Sequence, residues 1–425
     1  MPIALDLPHL IPGVVGNKGT HAPSPPRSFL FLSQVYLPDP AAVGQHLADA
    51  AEELVRRGHR VIVYTSDRGY DDPSARYARK EICNGVEVRR VPFSSFGKSS
   101  IAIRLLGGVS FIAQVVLRAV FVRRVDAVVV STSPPMASLG SVLISLIHSA
   151  RVKFWVMDVN PDQMVALGIL GPHSVPVRVF DRLNRLVLRR ASDVVVLDRF
   201  MADRINRKLD VSKKISVLPP WPASYPDALV PHDQNPFRAA HGLNGKIVVM
   251  YSGNHGPSNP VTTIIEAAKR VVDEPRLVFM FIGGGTGKRE VEEANSPNVV
   301  SLPYQPRDSL ANVLSAADVH VVTVGDAVQG IVHPSKVYGA MGVGRPILLV
   351  GPDENHVTDI FSRADVGWHI ANGDVDGAVA VLRSIAGADP ATVVTKGKNA
   401  RELMQRSNGK AGACGRLCDV LERGL

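Results

Sequence analysis

"HPSKVYGAMGVGRPILLVG", residues 333–351, contains a helix start followed at once by an apolar strand. Pro334 and Ser335 precede a segment of helical spacing, and the run "RPILLV" (345–350) is typical of a strand that is buried on both faces. A helix that leads directly into such a strand is the repeating unit of a parallel α/β sheet. We therefore expect further copies of this unit in the rest of the chain.

The first half of the chain alternates short apolar runs with longer amphipathic segments. The strand-like runs are "FLFLS" (29–33), "RVIVYT" (60–65), "VEVRRV" (86–91), "DAVVVS" (126–131), "VKFWVM" (152–157) and "DVVVLD" (193–198). Helix-length segments such as 41–57, 134–149 and 175–190 lie between most of them. Nearly continuous apolar strands separated by helices predict a parallel sheet with helices on both faces.

A proline-rich break precedes a second alternating half. The segment "VLPPWPASYPDALVPHDQNP" (217–236) has no periodicity and is predicted to be a linker. The strands then resume as "KIVVMYS" (246–252), "LVFMFIG" (277–283), "NVVSL" (298–302), "DVHVVTV" (318–324), "RPILLV" (345–350) and "VGWHI" (366–370). We predict an α/β fold of two tandem, doubly wound, Rossmann-like domains that face a cleft.

The predicted layout of the chain has five parts. They are a flexible leader (1–28), an N-terminal domain (29–216), the linker (217–236), a C-terminal domain (237–400) and a C-terminal helix (401–425) that packs back toward the first domain. The leader lacks the basic start and compact apolar run of a secretory signal. Arg104 and Arg118 interrupt the most apolar stretch, 101–122, so we do not expect it to span a membrane.

Composition and charge narrow the class of protein. The chain has 425 residues, of which 45% are hydrophobic and 20% charged, as in a globular protein. The net charge of +9 favours an anionic partner such as a phosphorylated small molecule or a membrane surface. Nucleic acid is not expected, because no binding module or interleaved aromatic pattern is present. Cys83, Cys414 and Cys418 form no disulfide framework, which indicates a reducing compartment.

Ligands of doubly wound sheets bind at the carboxyl ends of the strands, where three glycine-rich or lysine-bearing segments lie. They are "YSGNHG" (251–256), "GGGTGK" (283–288) and the segment around Lys336. A lysine in the first turn of a helix opposes the helix dipole, so Lys336 is a candidate functional residue. We expect Lys336 and the helix N-terminus, with Ser335 as N-cap, to hold a diphosphate. The alternative is that the glycines are ordinary turn residues.

Acidic and histidine side chains also lie near strand ends. Asp158 follows the strand 152–157 and Asp39 follows the strand 29–33, and each is either a catalytic carboxylate or a turn-forming residue. His255, His333 and His356 lie in or near the candidate phosphate-binding segments and could each donate to an anion. No two histidines have metal-ligand spacing, so we predict no metal site.

Ten ordered segments resemble one known family of enzymes. They are "ELVRRGHRVIVYTS" (53–66), "NGVEVRRVP" (84–92), "WVMDVNPDQMVALGIL" (155–170), "DVVVLDRFMADRI" (193–205), "ISVLPPW" (215–221), "MYSGNHG" (250–256), "FIGGG" (281–285), "LPYQPRDSL" (302–310), "AADVHVV" (316–322) and "PSKVYGAMGVGRPIL" (334–348). In these segments the chain resembles the retaining glycosyltransferases of family 4, which have the GT-B fold. It most resembles the bacterial subgroup that includes amino-sugar transferases of cell-surface polysaccharide assembly.

The resemblance implies a nucleotide-sugar site on the second domain and an acceptor side on the first. The predicted sugar-donor-binding residues, which include two of the histidines named above, are Gly44, Ser252, Gly253, Asn254, His255, Gly283, Gly284, Gly285, Tyr304, Gln305, Pro306, Pro334, Ser335, Lys336 and His356. Lys336 and Asp158 are the predicted catalytic residues, and Asp39 and Asp158 lie on the predicted acceptor side.

Two positions depart from the family pattern. Many members carry two glutamates with seven residues between them, whereas this chain has Ile331 and Gly339 at the matching positions. This difference leaves the recognition of the sugar hydroxyls open. Two alternatives therefore stand beside the transferase. One is a non-catalytic glycosyltransferase-like subunit, and the other is a sugar-nucleotide epimerase or hydrolase on the same fold.

The expected activity is metal-independent transfer of a sugar, with retained configuration, from a nucleotide diphosphate sugar to a glycan or lipid-linked acceptor. UDP is the expected nucleotide, and no cofactor is expected. The stretches 98–124 and 177–190 are basic and amphipathic, which favours a cytoplasmic protein bound peripherally to an anionic plasma membrane surface. Helices that simply pack on a sheet have the same pattern. The family resemblance further implies a polyprenyl-diphosphate-linked acceptor.

Overall fold

The computed structural model describes residues 25–425 except residues 40, 70, 71, 73, 97–100 and 223–228. The predicted leader therefore lies outside the described residues up to residue 24, and so does the middle of the predicted linker. Two sheets of mainly parallel strands are present, each flanked by helices. The predicted α/β architecture is confirmed.

The first sheet has eight strands in the order β3-β4-β2-β1-β5-β6-β7-β8. The strands are β1 (Ser28–Leu32), β2 (Arg60–Ser66), β3 (Lys80–Cys83), β4 (Val86–Val91), β5 (Ala127–Ser131), β6 (Arg151–Trp155), β7 (Asp193–Val196) and β8 (Ile215–Val217). Its helices are α1 (Ala42–Arg56), α2 (Ile101–Ala119), α3 (Ala137–His148), α4 (Asp162–Ala166), α5 (Val175–Arg190) and α6 (Arg199–Lys208).

The edge strand β3 is antiparallel to β4 and was not predicted. Most of its side chains are exposed, so it lacks the apolar run that marks the buried strands. The turn between the two strands is Asn84-Gly85, with φ values of 50° and 82°. Asn-Gly with positive φ at both positions is the strongest short-range signal of a two-residue hairpin. The sequence evidence for β3 therefore lies in the Asn-Gly turn that follows it and not in the residues of the strand.

The second sheet has six parallel strands in the order β11-β10-β9-β12-β13-β14. They are β9 (Ile247–Asn254), β10 (Leu277–Gly284), β11 (Val299–Leu302), β12 (Val319–Thr323), β13 (Ile347–Val350) and β14 (Gly367–Ile370). The helices of this half are α7 (Pro236–Ala240), α8 (Thr262–Arg270), α9 (Lys288–Glu292), α10 (Leu310–Ser315), α11 (Lys336–Gly342), α12 (His356–Phe361), α13 (Val375–Gly387), α14 (Pro390–Asn408) and α15 (Lys410–Glu422).

The end of the chain returns to the first half. The predicted continuous helix is interrupted at Gly409, and α15 packs against α1. Cys414 and Cys418 are buried in the core of the first half, in keeping with small apolar side chains. No single helix of the described residues is long and apolar enough to cross a membrane. By length and composition alone, one pair bent by 109°, Val375–Gly387 with Pro390–Glu422, meets the criteria of a broken span.

A short segment of the second half also joins the two halves directly. Val328 and Ile331 are buried within the hydrophobic core of the first half. The amide of Val159 donates to the carbonyl of Ile331 at 3.0 Å, and Asp158 forms an isolated antiparallel bridge with Val332. This junction places Asp158, at the end of the first sheet, beside the segment that leads to Lys336.

Candidate active site

The carboxyl ends of β9 and β10 form a glycine-lined floor. The two strands stay paired through Gly253↔Gly283 and Asn254↔Gly284, so these residues continue the strands and do not form turns. Gly283 has φ of +141°, and a Cβ atom on it would lie 2.0 Å from the carbonyl oxygen of Gly253. Only glycine permits this backbone approach, which leaves the strand ends free of side chains.

Lys336 lies on this floor. A Cβ atom on Gly253 would be 2.3 Å from Cε of Lys336, and the lysine Nζ is 5.2 Å from the centroid of the Tyr251 ring. The structure thus brings together three predicted residues, Gly253, Gly283 and Lys336, that are distant in sequence. The absence of a Cβ at Gly253 is what allows the lysine stem to cross the strand end.

The ammonium group of Lys336 is a charge without a counter-ion among the described residues. Burial lowers the pKa of this lysine to about 8. An unpaired buried cation is unfavourable, so an anion placed near Nζ would be stabilised. This arrangement is suited to a phosphate group of a ligand.

The helix N-terminus contributes less than the sequence predicted. Ser335 occupies the N-cap position of α11, but its side chain makes no capping hydrogen bond. The amides of Ser335, Val337 and Tyr338 already donate to the carbonyls of nearby residues at 2.9–3.2 Å. These three amides are therefore not available to an anion, and the main contribution of this segment is the lysine side chain.

An aromatic side chain borders the glycine floor. The ring of Tyr304 lies over Gly284, where a Cβ atom would be 3.1 Å from Cε2 of the tyrosine. Tyr304 is 61% exposed, so its ring offers an accessible flat surface. Nε2 of Gln305 donates to the carbonyl of Pro303 at 3.0 Å, and the carbonyl of Pro306 accepts from the amide of Ser309. The predicted segment 304–306 therefore forms a rim that can stack on a nucleobase.

His255 supports the floor from below. Its ring packs against Tyr251 and Phe281, and Nδ1 lies 3.2 Å from the carbonyl oxygen of Gly284. Burial lowers the pKa of His255, so the ring is neutral. With Nδ1–H donating to Gly284, Nε2 is left as a buried acceptor without a partner among the described residues. The structure therefore gives His255 a supporting position and not the anion-donating one that was expected.

The two predicted residues near β1 also have structural contacts. Gly44 lies in the first turn of α1, where a Cβ atom would be 3.1 Å from Cα of Tyr36. Oδ1 of the buried Asp39 accepts from the amide of Ala41 at 3.0 Å. This contact holds the turn that leads into α1, which agrees with the turn-forming alternative for Asp39.

Asp158 has an unusual environment at the end of β6. Its carboxylate makes no hydrogen bond or ion pair with any described residue, and burial raises its pKa to about 6. It lines a small, mainly apolar cavity of about 30 Å³ with Phe154, Phe180 and Leu188 among its neighbours. A carboxyl group in such surroundings can accept or release a proton near neutral pH.

A group that the sequence did not predict lies beside Lys336. His333 Nδ1 is 2.7 Å from a carboxylate oxygen of Asp198, and His333 Nε2 is 2.8 Å from the hydroxyl of Tyr338. The same hydroxyl is 2.7 Å from Nε2 of His356. Both nitrogens of His333 are thus engaged within the protein. Asp198 is the N-cap of α6, a role that "LDRF" suggests, but nothing in the sequence indicates its histidine partner.

Three of these side chains lie close enough together in the described part of the chain to be considered as metal ligands. One atom each of Asp198, His333 and His356 lies within 4.8 Å of the others. The hydrogen bonds within the group, including that of Tyr338, already engage these side chains with one another. The group is therefore built as a hydrogen-bonded chain, and the absence of a metal site stays a prediction.

The two departures from the family pattern have different surroundings. Ile331 is fully buried in the junction between the halves, where a carboxylate would lose its hydration. Gly339 lies on α11, where a Cβ atom would have only Leu314 nearby, at 3.7 Å. The apolar residue at 331 thus belongs to the packing that joins the halves.

Comparison with known proteins identifies the family. The family described as "Glycosyl transferase 4-like domain" matches residues 41–221, and "Glycosyl transferases group 1" matches residues 233–402. The two matches together cover both halves of the chain, which therefore belongs to the glycosyltransferases that these two families describe, as the sequence predicted.

Two relatives and two solved structures illustrate the similarity. A Pseudomonas aeruginosa protein named as the glycosyltransferase WbjE is 28% identical over 59% of this chain and 64% of that relative, which is just under two thirds of its length. An Escherichia coli K12 protein named as the colanic acid biosynthesis glycosyl transferase WcaI is 27% identical over 73% of this chain and 79% of that relative.

The solved structures share the fold. Sucrose-phosphate synthase of Thermosynechococcus elongatus superposes with a TM-score of 0.71 at 15% identity, covering 93% of this chain and 98% of that one. Anabaena HepE, solved in complex with UDP and glucose, superposes with a TM-score of 0.67 at 15% identity, covering 93% and 99%. The predicted GT-B fold is confirmed.

Proposed function

We propose that this chain is a retaining, metal-independent glycosyltransferase that moves a sugar from a nucleotide diphosphate sugar to a glycan or lipid-linked acceptor in surface polysaccharide synthesis. The observation that carries the proposal is the unpaired charge of Lys336 above the glycine floor of β9 and β10. Family membership supports it, and so does the colanic acid role in the name of one relative.

The sugar donor would lie along the carboxyl edge of the second sheet. Its base would stack on Tyr304, and its diphosphate would pass over Gly253 and Gly283 to reach Nζ of Lys336. UDP is the proposed nucleotide, because the similar fold of HepE was solved with UDP bound. The nucleotide sugar is the substrate, and no further cofactor is required.

The chemical step breaks the bond between the anomeric carbon and the diphosphate oxygen and forms one to an acceptor hydroxyl. Negative charge develops on the departing diphosphate, and Lys336 would stabilise it in a partly desolvated site. Asp158 would lie on the acceptor side and accept a hydrogen bond from the attacking hydroxyl. The loss of the hydroxyl proton is compensated by protonation of a phosphate oxygen of the leaving group.

Membrane attachment is proposed from one exposed surface of the first half. Helix α3 packs between α2 and α5, and the outer side chains of the three helices are unusually apolar for a surface. The apolar–basic face consists of the exposed residues Leu106, Val109, Leu117, Phe121, Leu146, Val175, Arg118, Arg123, Arg124, Arg182, Arg189 and Arg190. We propose that it binds an anionic membrane surface that carries a polyprenyl-diphosphate-linked acceptor.

A product assay tests the proposed reaction. Purified protein is incubated with UDP-sugars, each labelled in the sugar, and with membranes from polysaccharide-producing bacteria as the source of acceptor. We expect label in the lipid or polymer fraction, with release of UDP. Label that appears only as free sugar or as an isomerised nucleotide sugar, with or without membranes, would instead establish the hydrolase or epimerase alternative.

A further inference from the structure

Four side chains form an unbroken series of hydrogen bonds from one half of the protein to the other. They are Asp198, His333, Tyr338 and His356, which we call the relay chain, and the three links measure 2.7, 2.8 and 2.7 Å. Asp198 belongs to the first half and the other three residues to the second. Asp198, His333 and Tyr338 are buried, whereas His356 is partly exposed.

The Asp198 end of the relay chain is fixed. Its Oδ1 accepts from the amide of Met201 at 2.8 Å, while Oδ2 faces His333. Burial alone would raise the pKa of Asp198, but the hydrogen bond from His333, and the charge of that ring when it is protonated, outweigh burial and lower the pKa. Asp198 is therefore ionised, and Nδ1 of His333 must carry a proton that it donates to the carboxylate.

The His356 end is open. Nε2 of His356 is bonded to the Tyr338 hydroxyl, whereas Nδ1 has no hydrogen-bond partner among the residues that the structure describes. His356 is the first residue of α12, which follows β13 at the same edge of the sheet as Lys336 and the glycine floor. His356 therefore lies at the sheet edge along which the ligand is proposed to bind.

The links allow two arrangements of protons. In the first, Tyr338 donates to Nε2 of His333, His356 donates from Nε2 to Tyr338, and Nδ1 of His356 is a bare acceptor. When one proton binds to that Nδ1, the Nε2 proton of His356 moves to Tyr338, and the Tyr338 proton moves to His333. The added charge then resides on His333 beside Asp198, and Nδ1–H of His356 has become a donor.

The surrounding charges favour this placement of the proton. Burial lowers the pKa of His356, and so do the charge of Arg363 and that of His333 once it is protonated, so the ring of His356 stays neutral. Burial also raises the pKa of Tyr338, which therefore passes a proton without ionising. Arg199 and Asp359, on the two helices that carry the ends of the relay chain, pair with each other at 2.8 Å, so their charges offset one another.

We propose that uptake of one proton by the relay chain switches Nδ1 of His356 from a hydrogen-bond acceptor to a donor, and that this donor binds an anionic oxygen of the nucleotide diphosphate. The binding of the diphosphate by His356 rests on the function proposed above. The change of Nδ1 from acceptor to donor does not. His356 is then the residue that contacts the ligand. The other three members of the relay chain, Asp198, His333 and Tyr338, are positioning residues that act through it.

The switch is tested without ligand by NMR of the full chain labelled with ¹⁵N-histidine, with signals assigned from His333→Gln and His356→Gln. In the wild type we expect the ring nitrogens of both residues to change state at one shared midpoint of pH. In Tyr338→Phe, His356 should no longer follow His333. Arg199→Gln, which removes a neighbouring contact between the halves but no relay link, is the matched control and should keep the shared midpoint. Independent midpoints in the wild type would overturn the proposal.

The link to the ligand is tested by the affinity for UDP as a function of pH. In the wild type, the affinity for UDP should fall about ten-fold as pH rises through the shared midpoint, which is the size expected for the loss of one charge-assisted hydrogen bond. The affinity should fall a second time at higher pH, as Lys336 deprotonates. Tyr338→Phe and His356→Gln should retain only the second loss. An unchanged first loss in both variants would overturn the role of His356.

Two other results have distinct meanings. If no form binds UDP, the proposed nucleotide function is wrong, while the NMR titration still decides the switch. If the purified protein carries one equivalent of zinc, and chelation alters the histidine signals, the four residues are a metal site and the relay is wrong.

Discussion

Lys336 holds a positive charge in surroundings that disfavour it, and no described side chain supplies a counter-ion. If it stabilises the leaving diphosphate, Lys336→Ala should lower turnover by about 10²–10³, the range for loss of one strong electrostatic donor. Because the pKa is lowered to about 8, kcat/KM for the sugar donor should fall as pH rises above about 8. Steady-state kinetics between pH 6 and 10 measure both effects. Near-normal turnover in the variant would remove Lys336 from the mechanism.

Substitution of Asp158 should change stability and activity in opposite directions. Its pKa is raised from an ordinary 3.8 to about 6, so the folded state binds the proton more tightly than the unfolded state does. The wild type should therefore lose stability as pH rises from about 4 to 6 and keep that loss at higher pH. Asp158→Asn should gain up to about 3 kcal/mol at pH 7.5 while sugar transfer falls.

Urea unfolding at pH 4 and pH 7.5 measures this effect. The control is Asp162→Asn, which removes a carboxylate of the same half that is paired with Arg204 and Lys208, and which should not gain stability. A wild type and an Asp158→Asn variant of equal stability at pH 7.5 would contradict the raised pKa.

Single residues also show what sequence reasoning can and cannot reach. Lys336 was predicted from a local conflict, a cation in the first turn of a helix. The contact between Asp198 and His333 joins residues 135 positions apart, so only the packed chain reveals it. His255 was expected to face the ligand because its segment looked like a loop. In the structure the strand continues, and the side chain turns into the core.

Among the elements, the paired ends of β9 and β10 carry the strictest backbone requirement. Gly283→Ala should destabilise the second half by about 2 kcal/mol or more, because its φ is +141° and the new Cβ would meet a carbonyl oxygen. Gly339→Ala is the matched control, since it lies in a helix with room for a methyl group and should be neutral or slightly stabilising. The melting temperatures of the two variants, measured by thermal unfolding, test this prediction. Equal melting temperatures would contradict the close packing of the strand ends.

The elements themselves followed from hydrophobic patterning to a large extent. Runs of four or more apolar residues identified most of the buried strands, because both faces of a parallel sheet are covered. The exposed strand β3 has no such run and was missed. The glycine ends of β9 and β10 were taken for loops, because glycine removes the side-chain pattern on which the prediction depends.

At the scale of the whole molecule, the apolar–basic face predicts how the protein meets a membrane. Phe121 is 83% exposed and is followed by Arg123 and Arg124. The protein should co-sediment with vesicles containing anionic lipid, and the bound fraction should fall between 50 and 500 mM salt, roughly where charge interactions become screened. Phe121→Ser with Leu117→Ser should weaken binding, whereas Val394→Ser, an exposed apolar residue on α14, should not. Equal binding to neutral vesicles would contradict the proposal.

The central claim is that the edge of the second sheet binds a nucleotide diphosphate through Lys336. The most direct test is a thermal-shift titration of wild type and Lys336→Ala with UDP, GDP, ADP and dTDP. We predict that UDP raises the melting temperature of the wild type by several degrees at saturation and that the variant loses most of this shift. If no nucleotide shifts the wild type, the claim is contradicted, and a non-catalytic subunit becomes the better account of the chain.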